Sequence, residues 1–360
     1  MRATRVLIMA GGTGGHVFPA LAVADTLRAW GVEVVWMGTH QGLEAELVPK
    51  AGYPMEWISI GGLRGKGWAN WLRAPFKLLL ALFQALNALR RQQPTVVLGL
   101  GGFASGPGGL GAWLLGRPLL IHEQNAIAGT TNRLLSHLAC RVMEAFPGTF
   151  PAAMEAECTG NPVREGIEAL PEPQTRFQDR RDRFRLLVLG GSQGARVLNE
   201  MLPQALALLP PEARPQVWHQ CGPRQWEKAV AAYRAAGVES RLVPFIDEMA
   251  EAYAWADLVL CRAGALTIAE LMAAGIGSLL VPFPLAIDDH QRANADYLVD
   301  AGAALLLPEK EVTPQRLAGE IERLGGDRFT LMTMAQIARQ LHRVGAARRV
   351  AERCLEVARG

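Results

Sequence analysis

Two α/β domains, each built on a parallel sheet, are predicted from three observations. Short aliphatic runs alternate with helical patterns from one end of the chain to the other, several of these runs are apolar throughout, and a strand–glycine-loop–helix opening occurs twice. Alternation of this kind marks parallel strands joined by crossover helices. Runs without polar alternation are those of strands covered on both faces. A chain of 360 residues also exceeds what one core usually organises, which makes two domains the expectation.

Strands are expected in the first half at 5–10, 33–38, 55–60, 95–100, 119–123 and 141–146. The second half restarts at 184–190 and continues with 216–221, 241–245, 258–261, 278–282 and 304–307. The stretch 160–183 opens Gly160-Asn161-Pro162, passes Pro171 and Pro173 and runs into charges. Such a composition reads as a linker. The tail 339–359 reads as one basic amphipathic helix.

The net charge of +3 gives no reason to expect nucleic acid. Its distribution says more. Between Glu56 and Glu123 there is no acid, yet Arg64, Lys66, Arg73, Lys77, Arg90, Arg91 and Arg117 lie there. A one-signed stretch favours an anionic surface or ligand. Five cysteines, with no C-x-x-C pair, fit a reducing compartment better than a disulfide framework or structural zinc. The apolar run 6–10 is too short for a secretory leader, and the uncharged run 92–116 is broken by prolines and glycines, so no membrane span is expected.

The chemistry is carried by glycine loops. Gly11-Gly12-Thr13-Gly14-Gly15-His16 follows the first strand and opens a helix, and Gly190-Gly191-Ser192-Gln193-Gly194-Ala195 does the same in the second half. Such a turn aims backbone N–H groups and a positive helix end at one point, where phosphate is stabilised. Neither loop ends in Gly-Lys-Ser/Thr, and the strand after the first closes on Thr39-His40 rather than an acid, which argues against a nucleotide-hydrolase loop and a dinucleotide site. A third segment, Gly101-Gly102-Phe103-Ala104-Ser105-Gly106-Pro107, also follows a strand.

These loops, with His122-Glu123-Gln124-Asn125, Gly160-Asn161-Pro162-Val163-Arg164 and Arg262-Ala263-Gly264-Ala265-Leu266-Thr267, occur in the order found in the MurG family, which the chain resembles over essentially its whole length. These are bacterial transferases that carry N-acetylglucosamine from UDP onto lipid I (undecaprenyl-pyrophosphoryl-MurNAc-pentapeptide), giving lipid II. The resemblance implies the GT-B fold, two Rossmann-like domains with parallel sheets facing across a cleft. It implies an inverting, metal-independent reaction without cofactor, and a peripheral position on the cytoplasmic face of the inner membrane. An acceptor and membrane-facing domain of residues 1–163 with the tail from about 341 to 360, and a donor domain of 164–340, are expected from it.

Carried over position by position, Thr13, Gly14, Gly15, Asn125, Arg164, Ser192, Ile246, Ala265, Leu266, Thr267, Ile268, Ala269, Glu270, His290 and Gln291 surround UDP-N-acetylglucosamine. Ser192 would meet the α-phosphate, the Ile246 backbone the uracil and Glu270 the ribose. The segment 284–290 looks about one residue longer than in relatives, which leaves His290 and Gln291 competing for the sugar. Gly102, Ser105 and Gly106 are assigned to the acceptor pyrophosphate. Related readings are a GT-B transferase with another acceptor and a UDP-sugar-binding module without catalysis.

Inverting transfer needs a base, and His16 and Glu123 compete for that role. Histidine titrates in the useful range. Glu270, three residues after Thr267, also fits a capping box. Asp288-Asp289 reads as an acidic helix start rather than a metal site, and His122 and His219 read as core residues. Finally, Trp68, Trp71, Phe76 and Leu72 interleave with Arg73 and Lys77, the composition of a membrane-interface segment. In this reading Trp68 to Lys77 faces out and Leu78 to Phe83 packs inward.

Overall fold

The computed structural model describes residues 4–61, 67–178, 180, 183–191 and 194–359, with the backbone alone at 67–74 and 287. The chain divides into two compact units, residues 1–164 with 345–360, and residues 165–344.

The first unit holds seven strands: β1 (Arg5–Ala10), β2 (Glu33–Gly38), β3 (Met55–Trp57), β4 (Val96–Gly101), β5 (Leu119–Glu123), β6 (Arg141–Glu144) and β7 (Glu157–Cys158). They lie in the order β3-β2-β1-β4-β5-β6-β7, and every pairing is parallel. The second unit holds β8 (Arg185–Leu189), β9 (Gln216–Gln220), β10 (Arg241–Val243), β11 (Leu258–Cys261), β12 (Ser278–Leu280) and β13 (Ala304–Leu306), in the order β10-β9-β8-β11-β12-β13, again all parallel. In both sheets the order reverses beside the opening strand. The crevice at such a switch point, at the carboxyl ends of the strands, is where open α/β sheets bind ligands.

Burial on both faces explains the continuous apolar runs. In β1, Val6, Ile8 and Ala10 pack on one side with Val17, Ala20 and Ala24 of the helix Gly14–Ala29 and with Val350, Ala351 and Cys354 of the helix Ala346–Arg359. Leu7 and Met9 point the other way, toward Ala85, Ala88 and Leu89 of the helix Gly67–Gln92 and Ala112 of the helix Ser105–Leu114. In the second unit Leu186 and Val188 of β8 pack with Leu198 and Leu202 of the helix Arg196–Leu208.

The structure departs from the sequence reading in four places. The strand expected over 55–60 ends at Trp57, because its neighbour β2 ends at Gly38, opposite Trp57. The two-residue β7, too short to carry a pattern, pairs with Met143 and Glu144 at the sheet edge. The expected linker is partly structural: the helices Glu165–Glu168 and Pro173–Phe177 belong to the second unit, where Ile167 is buried and Arg180 donates to the Ala256 carbonyl at 2.8 Å. Lastly, the tail is two helices, Arg328–Leu341 and Ala346–Arg359, broken at 342–345.

Gly102 is required by a close approach. It has φ +86°, and a Cβ there would overlap the carbonyl oxygen of Gly11, a backbone atom with no freedom to move aside. Gly102→Ala should therefore destabilise the protein by more than the roughly 1–3 kcal/mol of a strained backbone conformation alone. Gly116, with φ +60° and open space around it, is the control. Urea unfolding should rank Gly102→Ala well below Gly116→Ala, and equal midpoints would contradict the packing constraint.

Candidate active site

At the switch point of the first unit, the loop after β1 passes Gly12 and Thr13 into the helix Gly14–Ala29. Beneath it lies Glu44, fully buried. One carboxylate oxygen accepts the Gly12 N–H at 2.8 Å, and the other accepts the Thr39 N–H at 3.1 Å and its hydroxyl at 2.8 Å. A side chain at Gly11 or Gly42 would collide with this carboxylate group, and one at Gly38 with the Glu44 Cγ. The sequence reading missed Glu44. The cluster of glycines around it was the available signal, and it has a consequence. The Gly12 amide is already engaged by the Glu44 carboxylate, whereas the amides of Gly14 and Gly15, in the helix first turn, are of the kind that meets an anion.

His16 follows in that first turn. Its ring lies over Gly101, where a Cβ would come within 2.8 Å of the ring, so β4 must end in glycine for the histidine to sit there. Its Nδ1 is 2.8 Å from Oε1 of Gln124, and Gln124 in turn contacts His122. Glu123, the competing base, is buried at the end of β5 and holds four donors. Oε1 accepts from the Asn125 N–H at 3.0 Å and its Nδ2 at 3.1 Å, and Oε2 from the Gly129 N–H at 3.1 Å and Asn132 Nδ2 at 2.9 Å. A carboxylate so engaged organises the 125–132 loop and is poorly placed to accept a substrate proton.

Of the three residues expected to meet the acceptor pyrophosphate, Ser105 has its side chain engaged inside the fold. Its hydroxyl is buried between the carbonyls of Met9, at 3.1 Å, and Gly101, at 2.8 Å, and ties β1 to β4. Gly102 and Gly106 flank it at the start of the helix Ser105–Leu114. Arg164 sits with its guanidinium 5.4 Å from the ring of Phe18 in the same unit.

In the second unit the loop after β8 makes the same close approach: Gly194 has φ +77°, and a Cβ there would overlap the Cys221 carbonyl at the end of β9. Ser192 lies outside the described residues. Across the switch point, β11 leads through Arg262 to the helix Ala265–Ala274, so that Ala265, Leu266, Thr267, Ile268, Ala269 and Glu270 are its first two turns. Arg262 braces the turn, donating to the carbonyls of Val281 at 3.0 Å and Pro282 at 3.3 Å and pairing with Glu309. Because Gly264 is the N-cap, Thr267 lies inside the helix and the capping-box reading of Thr267 and Glu270 falls. Glu270 is buried and accepts the Tyr253 hydroxyl at 3.1 Å.

Ile246 is buried in the segment after β10. His290 begins the helix His290–Asp300, and Gln291 Oε1 accepts the Phe283 N–H at 2.9 Å. Asp288 and Asp289 before them are exposed, with φ of +52° and +54°.

On the helix Gly67–Gln92 the side chains of Trp68, Trp71 and Arg73 lie outside the described residues, and Lys77 is exposed. The expectation that Leu78 to Phe83 packs inward is overturned. Phe76 is 75% exposed, Leu79 64%, Leu80 50% and Phe83 60%. Their i, i+3, i+4, i+7 spacing puts them on one face, while Ala81, Ala85 and Leu89 make the buried one. Small alanines on the inner face let this helix and the helix Ser105–Leu114 approach closely around Gly111, and the large side chains are left outside. Among the described residues no helix is long and apolar enough to cross a membrane.

Residues 6–144 match the glycosyltransferase family 28 N-terminal domain and 185–355 the family 28 C-terminal domain. The chain is 82% identical, over 99% of its length and 100% of the relative's, to the UDP-N-acetylglucosamine–N-acetylmuramyl-(pentapeptide) pyrophosphoryl-undecaprenol N-acetylglucosamine transferase of Nitrosococcus oceani. The chain belongs to the MurG family. The enzyme of the same name from Alkalilimnicola ehrlichii is 57% identical over 98% of this chain and 99% of its own. The crystal structure of Acinetobacter baumannii MurG superposes with a TM-score of 0.83 at 42% identity, covering 98% of this chain and 99% of that one. Family and fold are thus as the motifs implied: a glycosyltransferase with the two Rossmann-like units of the GT-B class.

Both core histidines of this MurG-family chain are fully buried. His122 Nε2 meets the Gly160 carbonyl at 2.9 Å, and His219 Nδ1 meets the Tyr233 hydroxyl at 2.9 Å. Burial pushes His122 down to about 4, against the pull of the Gly160 carbonyl and the Glu123 charge, and burial alone pushes His219 down to about 3. An unfolded histidine takes up its proton near pH 6.5. Stability contributed by keeping both rings neutral is therefore complete above about pH 6.5 and is lost as pH falls toward about 4 for His122 and 3 for His219. The free energy of urea unfolding should drop between about pH 7.5 and about pH 5, and His219→Gln should flatten that slope. An unchanged slope would place the pH sensitivity elsewhere.

Proposed function

We infer that this chain transfers N-acetylglucosamine from UDP-N-acetylglucosamine to the MurNAc of lipid I, giving lipid II. The observation that carries this is the full-length identity of 82% to a relative named for that transfer. The donor is assigned to the second unit. There the amino end of the helix Ala265–Ala274 and the 190–194 loop, at the switch point of one sheet, meet the diphosphate charge. Ser192 binds the α-phosphate, and the Ile246 backbone reads the uracil. Glu270, oriented by Tyr253, binds the ribose, and His290 and Gln291 bind the sugar. The acceptor is assigned to the first unit, its pyrophosphate to the backbone around Gly102 and Gly106. His16 takes the proton from the acceptor hydroxyl as that oxygen attacks the anomeric carbon, and UDP leaves with inversion.

We assign membrane contact to the helix Gly67–Gln92, through Trp68, Trp71, Arg73 and Lys77 and through the exposed Phe76, Leu79, Leu80 and Phe83. This surface supports a peripheral enzyme on an anionic bilayer, as a lipid-linked acceptor requires.

Incubation with UDP-N-acetylglucosamine and a short-chain lipid I analogue should yield the disaccharide, and no transfer would sink the reading. In the same assay Glu270→Ala should raise the donor KM by roughly 10–150-fold, the equivalent of about 1.5–3 kcal/mol for a charge-assisted hydrogen bond. The acceptor KM should stay put.

For the membrane face, Phe76→Ser with Phe83→Ser should lower partition into anionic vesicles by roughly tenfold or more per side chain. Lys77→Gln should lower it by about fivefold, in a salt-sensitive manner. Turnover of a water-soluble short-chain acceptor should be spared. Undiminished vesicle binding by these variants would return this face to a merely exposed surface.

A further inference from the structure

We propose that Gln124 sets which nitrogen of His16 carries the proton. The polarity of the contacts leaves one consistent arrangement. His122 Nε2 faces the Gly160 carbonyl at 2.9 Å, and a carbonyl only accepts, so Nε2 bears the hydrogen. A neutral His122 then presents a lone pair at Nδ1. Gln124 Nε2 lies 3.0 Å from that nitrogen and 3.0 Å from the His122 carbonyl, two acceptors that only the amide NH2 can serve. Flipping the amide would set oxygen against oxygen. Gln124 Oε1 is thereby turned to His16 Nδ1 at 2.8 Å, and since this oxygen can only accept, Nδ1 must donate. Nε2 of His16 is left as the basic nitrogen.

The arrangement is locked from outside. The Gln124 carbonyl accepts Asn161 Nδ2 at 2.9 Å, the His122 carbonyl also accepts Asn132 Nδ2 at 3.2 Å, and both His122 and Gln124 are fully buried. Burial keeps His122 neutral well below physiological pH, so the relay does not reverse there. The acids of the neighbourhood are directed elsewhere: Glu123 to its four donors, and Glu44 to Gly12 and Thr39. Left to itself in water, a histidine favours the opposite tautomer, with hydrogen on Nε2, which cannot accept a proton there. Gln124 is thus a positioning residue that acts through His16, and it touches no substrate in this account.

This inference rests on the assignment of His16 as base, and the test separates the two. In protein labelled with 15N-histidine, long-range proton–nitrogen correlations of the neutral His16 ring should show Nδ1 protonated and Nε2 bare. In Gln124→Leu the population should move to the Nε2-protonated form, with kcat falling roughly 10–100-fold and donor KM nearly unchanged. A parent ring with hydrogen on Nε2 overturns the proposal, as does a Gln124→Leu variant that loses activity with its tautomer unmoved. The spectrum of the parent protein decides even if the leucine variant folds poorly. Should His16→Ala retain activity, the base assignment fails independently of the tautomer result.

Discussion

The first unit depends on the approach of two backbones where β1 and β4 end. Gly102 lies against the Gly11 carbonyl so closely that no side chain fits between them. Ser105 closes the gap one turn further on by setting its hydroxyl between the carbonyls of Met9 and Gly101. This contact sits at the switch point of the sheet, so helices leave on opposite faces immediately beside it. Everything chemical in the unit is arranged around it. The His16 ring rests on Gly101, Glu44 holds the first loop from beneath, and Gln124 reaches across from the end of β5. A methyl group inserted at Gly102 would push apart the strands whose spacing sets the His16–Gln124 distance.

The second unit repeats the topology and the close approach with a different filling. Gly194 packs on the Cys221 carbonyl as Gly102 packs on that of Gly11. In the second loop, however, Gln220 and Asn199 bind carbonyls, those of Gly191 and Cys221, whereas in the first Glu44 binds an amide. Of the described amides of the second loop, those of Gly190 and Gly194 are taken by the carbonyls of Gln220 and Gly191. The two glycine loops look alike in sequence, yet a carboxylate supports the first and amide side chains support the second.

How much of this was legible follows from what kind of signal each feature leaves. Strands buried on both faces leave long apolar runs, and twelve expected runs correspond to strands in the structure. The two-residue β7 leaves none, and it forms only because β6 offers an unpaired edge. Loop glycines were readable because a close approach excludes every other residue. The residues that organise the loops were not. Glu44 and Gln124 are single polar side chains, and the Gly12 and His16 that they hold lie 32 and 108 residues away; only the glycines around Glu44 hint at its burial. The outward face of the helix Gly67–Gln92 was misread for a related reason. Periodicity gives two faces, and leucine content suggested the wrong one, since the alanine face was free to pack more closely.

The choice of an amide rather than a carboxylate beside His16 has an electrostatic consequence. An acid in contact with the ring would stabilise the imidazolium and orient it, as in hydrolytic triads, but it would also place negative charge beside the reacting centre. In the proposed reaction the leaving group is a diphosphate whose charge grows as the bond breaks, and added negative charge on the group that orients the base would not favour that growth. Gln124 orients the ring with a dipole and no net charge. Glu123, its neighbour in sequence, is turned away into four N–H donors that disperse its charge within the fold. The segment His122-Glu123-Gln124-Asn125 therefore divides two tasks between adjacent residues. The acid holds the loop, and the amide holds the His16 ring without bringing a net charge to it.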